Sequence, residues 1–407
     1  MSLLFTPASL GPLTLRNRTI RAAAFEGMCP SNNPSEMLYN YHRSVAAGGI
    51  GMTTIAYSSV TQSGLSFPHQ LWLRKEAIPE LKKLTDAIHR EGAAASIQIG
   101  HCGNMSKKSV AGQLPISASY GFNIYSPTFV RKMRKDEIRD VAADFGRAVN
   151  LAREAGFDAV EIHAGHGYLL SQFLSKFTNR RSDEYGGSLE NRMRFMSMAV
   201  ENALEAAKSD MAVVAKINMQ DGFKFWGGMQ IDDCLLVAKQ LETLGIHGLV
   251  LSSGFVSRAP MHVMRGSMPT RTMSYYMKPS VIKPLARYFG KILVPTVPFK
   301  EAYFYEDALK FREAVKLPLI YVGGLVARDK IDMVLNSGFD FVAMARALVN
   351  EPAFVNRMKE EGDVRCACEH ANYCIGRMYT LEMQCCQHIK EELPKCIRKE
   401  IEKTKRR

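Results

Sequence analysis

Residues 161–195 read EIHAGHGYLLSQFLSKFTNRRSDEYGGSLENRMRF. An apolar run, DAVEIH, ends at His163, and His166 and Tyr168 come soon after it. A Gly-rich turn and a charged, helix-forming segment come next. The run has the length and character of a buried strand, and the residues after it read as a loop and then a helix. One strand end thereby carries two imidazole donors and a phenol. Such a set can hold a carbonyl oxygen and protonate the carbon beside it. A tyrosine, with a reference pKa near ~10, keeps its proton at neutral pH. On spacing alone an alternative stays equally open: a satisfied core histidine and a surface aromatic. An H-x-x-H pair without a third nearby ligand is weak evidence for zinc, and no metal is expected there.

Working outward, similar apolar runs recur: TIRAAA (19–24), GMTTIA (51–56), AAASIQI (93–99), DAVEIH (158–163), AVVAKIN (212–218), HGLVLSS (247–253), PLIYVG (318–323) and DFVAMA (340–345). Helical patterns lie between them, such as IPELKKLTDAIHREG (78–92) and IDDCLLVAKQLETLG (231–245). Eight strands, each followed by a helix, over roughly 350 residues predict an α/β fold of the (β/α)8 TIM-barrel class. Near-continuous apolar strands suit a parallel sheet covered by helices. A doubly wound open sheet would need a G-x-G-x-x-G turn after the first strand, and RAAAFEGMCPS has none. In the barrel, chemistry gathers at the strand C-termini. The expected division is a barrel over 1–360, carrying a lid inserted at 258–310 between strands six and seven, and a Cys-rich basic extension over 361–407.

Composition narrows the class further. The chain has 407 residues, enough for a large core, and its 46% apolar share suits a globular enzyme. The N-terminus lacks the basic start and long apolar run of a secretory signal. No stretch approaches the roughly 20 apolar residues of a membrane span, so a cytoplasmic location is expected. Six of nine cysteines fall between 366 and 396, which looks like a metal-site remnant and not a disulfide framework.

The net charge of +13 is concentrated. Residues 258–300 hold eight cations (Arg258, Arg265, Arg271, Lys278, Lys283, Arg287, Lys291, Lys300) and no acid, and the tail from Lys390 adds a net four. That placement suits a local anionic partner or a solvated lid and argues against nucleic acid. Methionines and aromatics, among them Met264, Met273, Met277, Tyr288 and Phe289, accompany the cations. They would wall a bulky apolar ligand that carries an anionic group. An oligomer contact or membrane-surface patch is the equal alternative, and a homo-oligomer is expected.

The run NRRSDEYGGSLENR (179–192), with His163, His166 and Tyr168 before it, closely resembles the signature of the Old Yellow Enzyme family of flavin-dependent ene-reductases. The resemblance covers residues 1 to about 360. It implies that His163 and His166 bind a substrate carbonyl above FMN, and that Tyr168 delivers a proton to the alpha carbon. It further implies that Gln98 meets the pyrimidine edge of the flavin. Lys216 stands where the family usually has Arg, near N1 and O2. Ala23, Ala24 and Tyr57 would face the ring largely through backbone atoms. Gly323 and Gly324 after strand seven, with Ala345 and Arg346 after strand eight, resemble the family's phosphate site. The physics agrees, because small residues expose N–H groups and an arginine clamps phosphate bidentately. Phe25 and Glu26 depart from the family pattern, in which a small, Cys or Thr residue sits near flavin N5.

The implied reaction is NAD(P)H-dependent reduction of the C=C bond of an α,β-unsaturated carbonyl compound. Two alternatives are an oxidative amine demethylase and a flavin-bearing electron-transfer subunit. The tail CACEHANYCIGRMYTLEMQCC resembles the iron–sulfur segment of larger dienoyl-CoA reductase relatives. Cys368, Cys374 and Cys385 or Cys386 fit it, but Ala371 occupies the second ligand position, so no 4Fe-4S cluster is expected.

Overall fold

The computed structural model describes residues 2–123, 128–224, 227–276 and 295–405. Eight parallel strands close into a barrel: β1 (Thr19–Arg21), β2 (Met52–Ser59), β3 (Ala94–Gly100), β4 (Ala159–His163), β5 (Ala212–Asn218), β6 (Gly248–Ser252), β7 (Leu319–Val322) and β8 (Phe341–Met344). Each hydrogen-bonds to its neighbour in sequence, and β8 closes on β1. The outer ring consists of α1 (Glu36–Ala47), α2 (Ile78–Arg90), α3 (Lys135–Glu154), α4 (Leu189–Ala207), α5 (Ile231–Thr243), α6 (Tyr305–Ala314), α7 (Arg328–Asn336) and α8 (Phe354–Glu361). This is the (β/α)8 TIM barrel expected from the strand and helix patterns. No described helix is long and apolar enough to cross a membrane.

The strand alternation decides what faces inward. Val160 and Ile162 of β4, with Val213, Ala215 and Ile217 of β5, pack outward in the layer between strands and helices. Ala159, Ala212, Val214, Val250, Ile320 and Phe341 pack inward. Leu10 and Leu15 of an N-terminal hairpin join this inner cluster and plug the barrel floor. The same alternation carries the inward face upward to Gln98, His163 and Lys216. An apolar floor thus becomes a polar roof at the strand C-termini.

Two features were not legible beforehand. A small sheet of Ile116–Ser117, Gly121–Asn123 and Thr128–Lys132 decorates the β3–α3 connection. The tail does not hang free. Cys366 donates its N–H to Val326, Tyr276 bonds Tyr373 hydroxyl to hydroxyl at 2.9 Å, and Tyr276, Tyr373, Cys386, Leu393 and Ile397 form a satellite core. Within the basic insertion, Lys278, Lys283, Arg287 and Lys291, with Met277, Tyr288 and Phe289, lie outside the described residues.

Candidate active site

A cavity of about 350 Å³ opens at the C-terminal mouth of the barrel. His163, His166, Tyr168, Ala23, Ala24, Tyr57, Gln98, Lys216, Gly323, Gly324, Ala345 and Arg346 all line it. With Ser252 at the end of β6, every strand of the barrel contributes to one space.

The His–Tyr group is built by a turn. Beyond β4, His166 takes φ 58 and Gly167 φ 79, the left-handed region. A Cβ on Gly167 would stand 2.4 Å from the Phe255 ring, so glycine is required where the chain doubles back. His166 bears its less favourable backbone because three contacts over-determine it. Its N–H donates to Asn218 Oδ1 at 2.9 Å, its carbonyl accepts from Val256 at 3.0 Å, and its Nε2 lies 2.7 Å from Ser252 Oγ. The His163 ring sits 5.1 Å from His166 and 4.5 Å from Tyr168, both edge-on. Tyr57 stacks on Tyr168 at 4.9 Å.

Protonation is set by burial. Desolvation, then the neighbouring His166 and Lys216, hold His163 well below the usual imidazole range. Burial and Lys216 pull His166 down to about 3. Both rings are therefore neutral at physiological pH, each with a single N–H to offer. Burial pushes Tyr168 above its ordinary value, so its proton stays on until a stronger demand arises.

Glu161 is a member that sequence reasoning missed. It lies two residues before His163 and so shares its inward face. Its carboxylate stands 2.6 Å from Lys216 Nζ and accepts from Gln98 Nε2. The Lys216 charge is thus already paired inside the barrel. The available signal was the period of two, which turns any acid at that position inward. Gln172 was also missed. Its amide donates to the carbonyls of Gly167 (2.6 Å) and Cys102 (3.1 Å) and accepts from Ser117 (2.9 Å), pinning the turn that bears Tyr168.

Tyr57 owes its place to a bulge. Across β2 and β3 the register slips between Ile55 and Ser58, so Ala56 and Tyr57 oppose the single Gln98. The Ala56 N–H turns to Glu26 Oε1 at 3.0 Å. Glu26 is buried and ion-paired with Arg21 at 2.7 Å, and His42 Nε2 lies 3.3 Å from the same oxygen. Of the two departures from the family pattern, Phe25 lines the cavity, whereas Glu26 turns away into this cluster. The described cations of the insertion (Arg258, Arg265, Arg271 and Lys300) do not line the cavity. The insertion supplies apolar wall instead, through Pro260, Val263, Met264, Met273 and Phe299.

The tail contributes to the cavity. His370, Cys374, Ile375, Met378, Tyr379 and Met383 form one side of the cavity. Met383 donates its N–H to the Glu26 carbonyl, and His69 Nε2 lies 2.9 Å from the Met378 carbonyl. All nine cysteines are free thiols. No group of three or more His, Cys, Asp or Glu among the described residues is placed to hold a metal ion.

The donor set fits a flat heteroaromatic ring joined to a phosphate. At one end Gly323 and Gly324 take φ 146 and 73, and a Cβ on Gly324 would meet the Tyr303 ring at 2.7 Å and the Lys300 carbonyl at 2.9 Å. Arg346 is braced there by the Arg265 carbonyl (2.7 Å) and Asn372 Oδ1 (2.6 Å). His370 Nε2 is buried nearby without a hydrogen-bond partner. Backbone N–H groups, a guanidinium and an orphaned imidazole suit a phosphate. At the other end Gln98 and Lys216 line the cavity with the small Ala22–Ala24 segment, polar groups that would suit a ring edge.

Comparison with known proteins agrees. Residues 3–285 match the model of the NADH:flavin oxidoreductase / NADH oxidase family. The chain is 39% identical over 378 residues to the 4,4'-dithiodibutanoate disulfide reductase of Rhodococcus erythropolis, covering 93% of each chain. It is 36% identical over 267 residues to an NADPH dehydrogenase of Listeria monocytogenes, covering 64% of this chain and 76% of the relative. An old yellow enzyme homologue from Zymomonas mobilis superposes with a TM-score of 0.69 at 23% identity, over 93% of this chain and 96% of that one. With FMN as its cofactor and NAD(P)H as its electron source, the chain is an oxidoreductase and belongs to the NADH:flavin oxidoreductase / NADH oxidase family, that of the Old Yellow Enzymes.

Proposed function

We propose that this protein is an ene-reductase that uses NAD(P)H to reduce the C=C bond of an α,β-unsaturated carbonyl compound, an enone or enoyl thioester. One observation carries the reading: two imidazoles and a phenol converge on one cavity, the His163 ring 5.1 Å from His166 and 4.5 Å from Tyr168. Bound FMN supplies the hydride chemistry. His163 and His166 hold the substrate oxygen by one N–H each, and those donors gain strength as the oxygen acquires charge. Neutral rings suit the task, since a buried imidazolium beside Lys216 would be repelled. Tyr168 donates its phenolic proton to the alpha carbon, held in place by the Tyr57 ring and by the turn that Gln172 secures. Gln98, Lys216, Ala23, Ala24 and Tyr57 border the flavin ring. Gly323, Gly324, Ala345 and Arg346 take its phosphate. The apolar tail residues exclude water from the reacting atoms.

The test is Tyr168→Phe under anaerobic conditions. The turnover number with an enone should fall by about 10²- to 10⁴-fold, while NAD(P)H still bleaches the flavin absorbance. Alkene reduction at the parental rate would refute the assignment.

A second reading is favoured by the relative matched over 93% of both chains, a disulfide reductase. Two electrons would then cleave an S–S bond in the same cavity. Thiols have a pKa near ~8.5 and leave readily as thiolates, so they need little help from a phenol. Tyr168→Phe would then leave disulfide reduction nearly intact, which separates the two readings in one variant.

A further inference from the structure

The cavity has two cations without a carboxylate partner among the described residues. Arg346 belongs to the phosphate corner. The other is Lys107, which comes after β3 and lies three strands around the barrel from β8. Its surroundings are mainly aromatic. Lys107 Nζ stands 5.3 Å from the Phe67 ring centre, a cation–π contact that supplies no counter-charge. Phe67 stacks on Phe25 at 5.1 Å and meets Tyr379 edge-on at 6.1 Å. Phe25, Phe67, Met105, Met378 and Tyr379 line the cavity together with Lys107.

Such a placement is costly unless something offsets it. Burial draws the ammonium below the usual lysine range, and no acid restores it. Its effect reaches His69, whose imidazole is also depressed, chiefly by burial. Glu382, the acid whose charge acts on His69, is committed to Arg377. A partly desolvated cation facing a binding cavity wants an anion from the ligand.

We propose that Lys107 binds a carboxylate carried by the substrate, making this an enzyme for carboxylated unsaturated carbonyl compounds whose apolar middle lies against Phe25 and Phe67. The assignment rests on the reductase reading above and extends it. A single ammonium between aromatic walls matches a singly charged carboxylate. A phosphate is matched instead by the glycine pair, Arg346 and His370 on the other side of the mouth.

The experiment compares an enone bearing a carboxyl-terminated side chain with its methyl ester, in the FMN-loaded full chain. The parent enzyme should show a KM for the acid about tenfold to a hundredfold below that for the ester. Lys107→Met should raise the acid to the ester's value, and Lys107→Arg should restore much of the preference. Calorimetric titration with the saturated, non-reducible acid and ester should show the same loss in Kd, independent of turnover. If no enone is reduced yet the acid binds in a Lys107-dependent manner, the reaction assignment fails and the carboxylate site stands. Equal KM and Kd for acid and ester in the parent would overturn the site without recourse to any variant. So would a Lys107→Met effect confined to the KM of NAD(P)H, which would place a nucleotide there instead.

Discussion

Glu161 and Lys216 meet at 2.6 Å inside the barrel, both almost wholly buried. Removing one charge of such a pair strands the other in a medium that solvates it poorly, which is more damaging than replacing both. Glu161→Gln is therefore expected to lower stability by about 3–5 kcal/mol. It should also loosen FMN, because an unbalanced Lys216 must reorient. Urea unfolding and the flavin-to-protein ratio after gel filtration check this. Unaltered stability would show that Lys216 finds another partner. His166 makes a similar point from the neutral side. Asn218 holds its backbone and Ser252 its ring, and that orientation, more than charge, makes it useful as a donor.

At the scale of elements, the segment between β4 and α4 is the most instructive. Its charged run performs a mechanical task. Arg181 forks onto Asp183 at 2.7 and 2.9 Å and donates to the carbonyls of Ala118 (3.0 Å) and Met133 (2.8 Å). Asn179 ties the Phe173 and Tyr185 carbonyls, Arg192 donates to that of Leu174, and Ser188 caps α4 by accepting from Asn191. These bonds satisfy buried loop backbone and hold the helix at Leu169–Leu174 against the barrel mouth. The turn after β7 works differently, through absence of side chain. Gly324→Ala places a Cβ against Tyr303 and the Lys300 carbonyl at a left-handed φ of 73. It should cost more than about 1 kcal/mol and lower the FMN content of the purified protein. The ratio of flavin to protein absorbance reads this directly, and a full complement of FMN would remove Gly324 from the phosphate corner.

For the whole molecule, the tail matters because it closes the cavity. Its last helix, Lys395–Lys405, is tied to the insertion by Glu400. That carboxylate accepts from the backbone N–H groups of Arg271 (3.1 Å) and Thr272 (2.8 Å) and from the Thr272 hydroxyl (2.8 Å). An acid on those N–H groups stabilises the start of the Thr270–Tyr276 helix as a capping residue does. Glu400→Ala should release about 1–2 kcal/mol of this docking. The expected result is faster limited proteolysis within the tail and a higher KM for substrate, with the barrel's thermal transition little moved. Equal proteolysis rates would show that the Tyr276–Tyr373 satellite core alone holds the tail.

By itself the sequence determined the barrel, its strand order and the grouping of two imidazoles and a phenol at one strand end. Strand alternation and loop position are local properties, and His163, His166 and Tyr168 fall at one strand end within a few residues. That Gly323 and Gly324 meet Arg346 at one cavity was legible for the same reason, as two short motifs at neighbouring strand ends. Only the tertiary structure decided what crosses between distant segments. Gln98 and Glu161, 63 positions apart, become partners because β3 and β4 pair in one register. Glu26 turns from the cavity because a bulge in β2 frees one N–H for it. The tail becomes a wall because its apolar side chains find a mouth that no strand covers. Pair contacts of this kind depend on long-range register and packing, which a linear pattern of residues does not encode one position at a time.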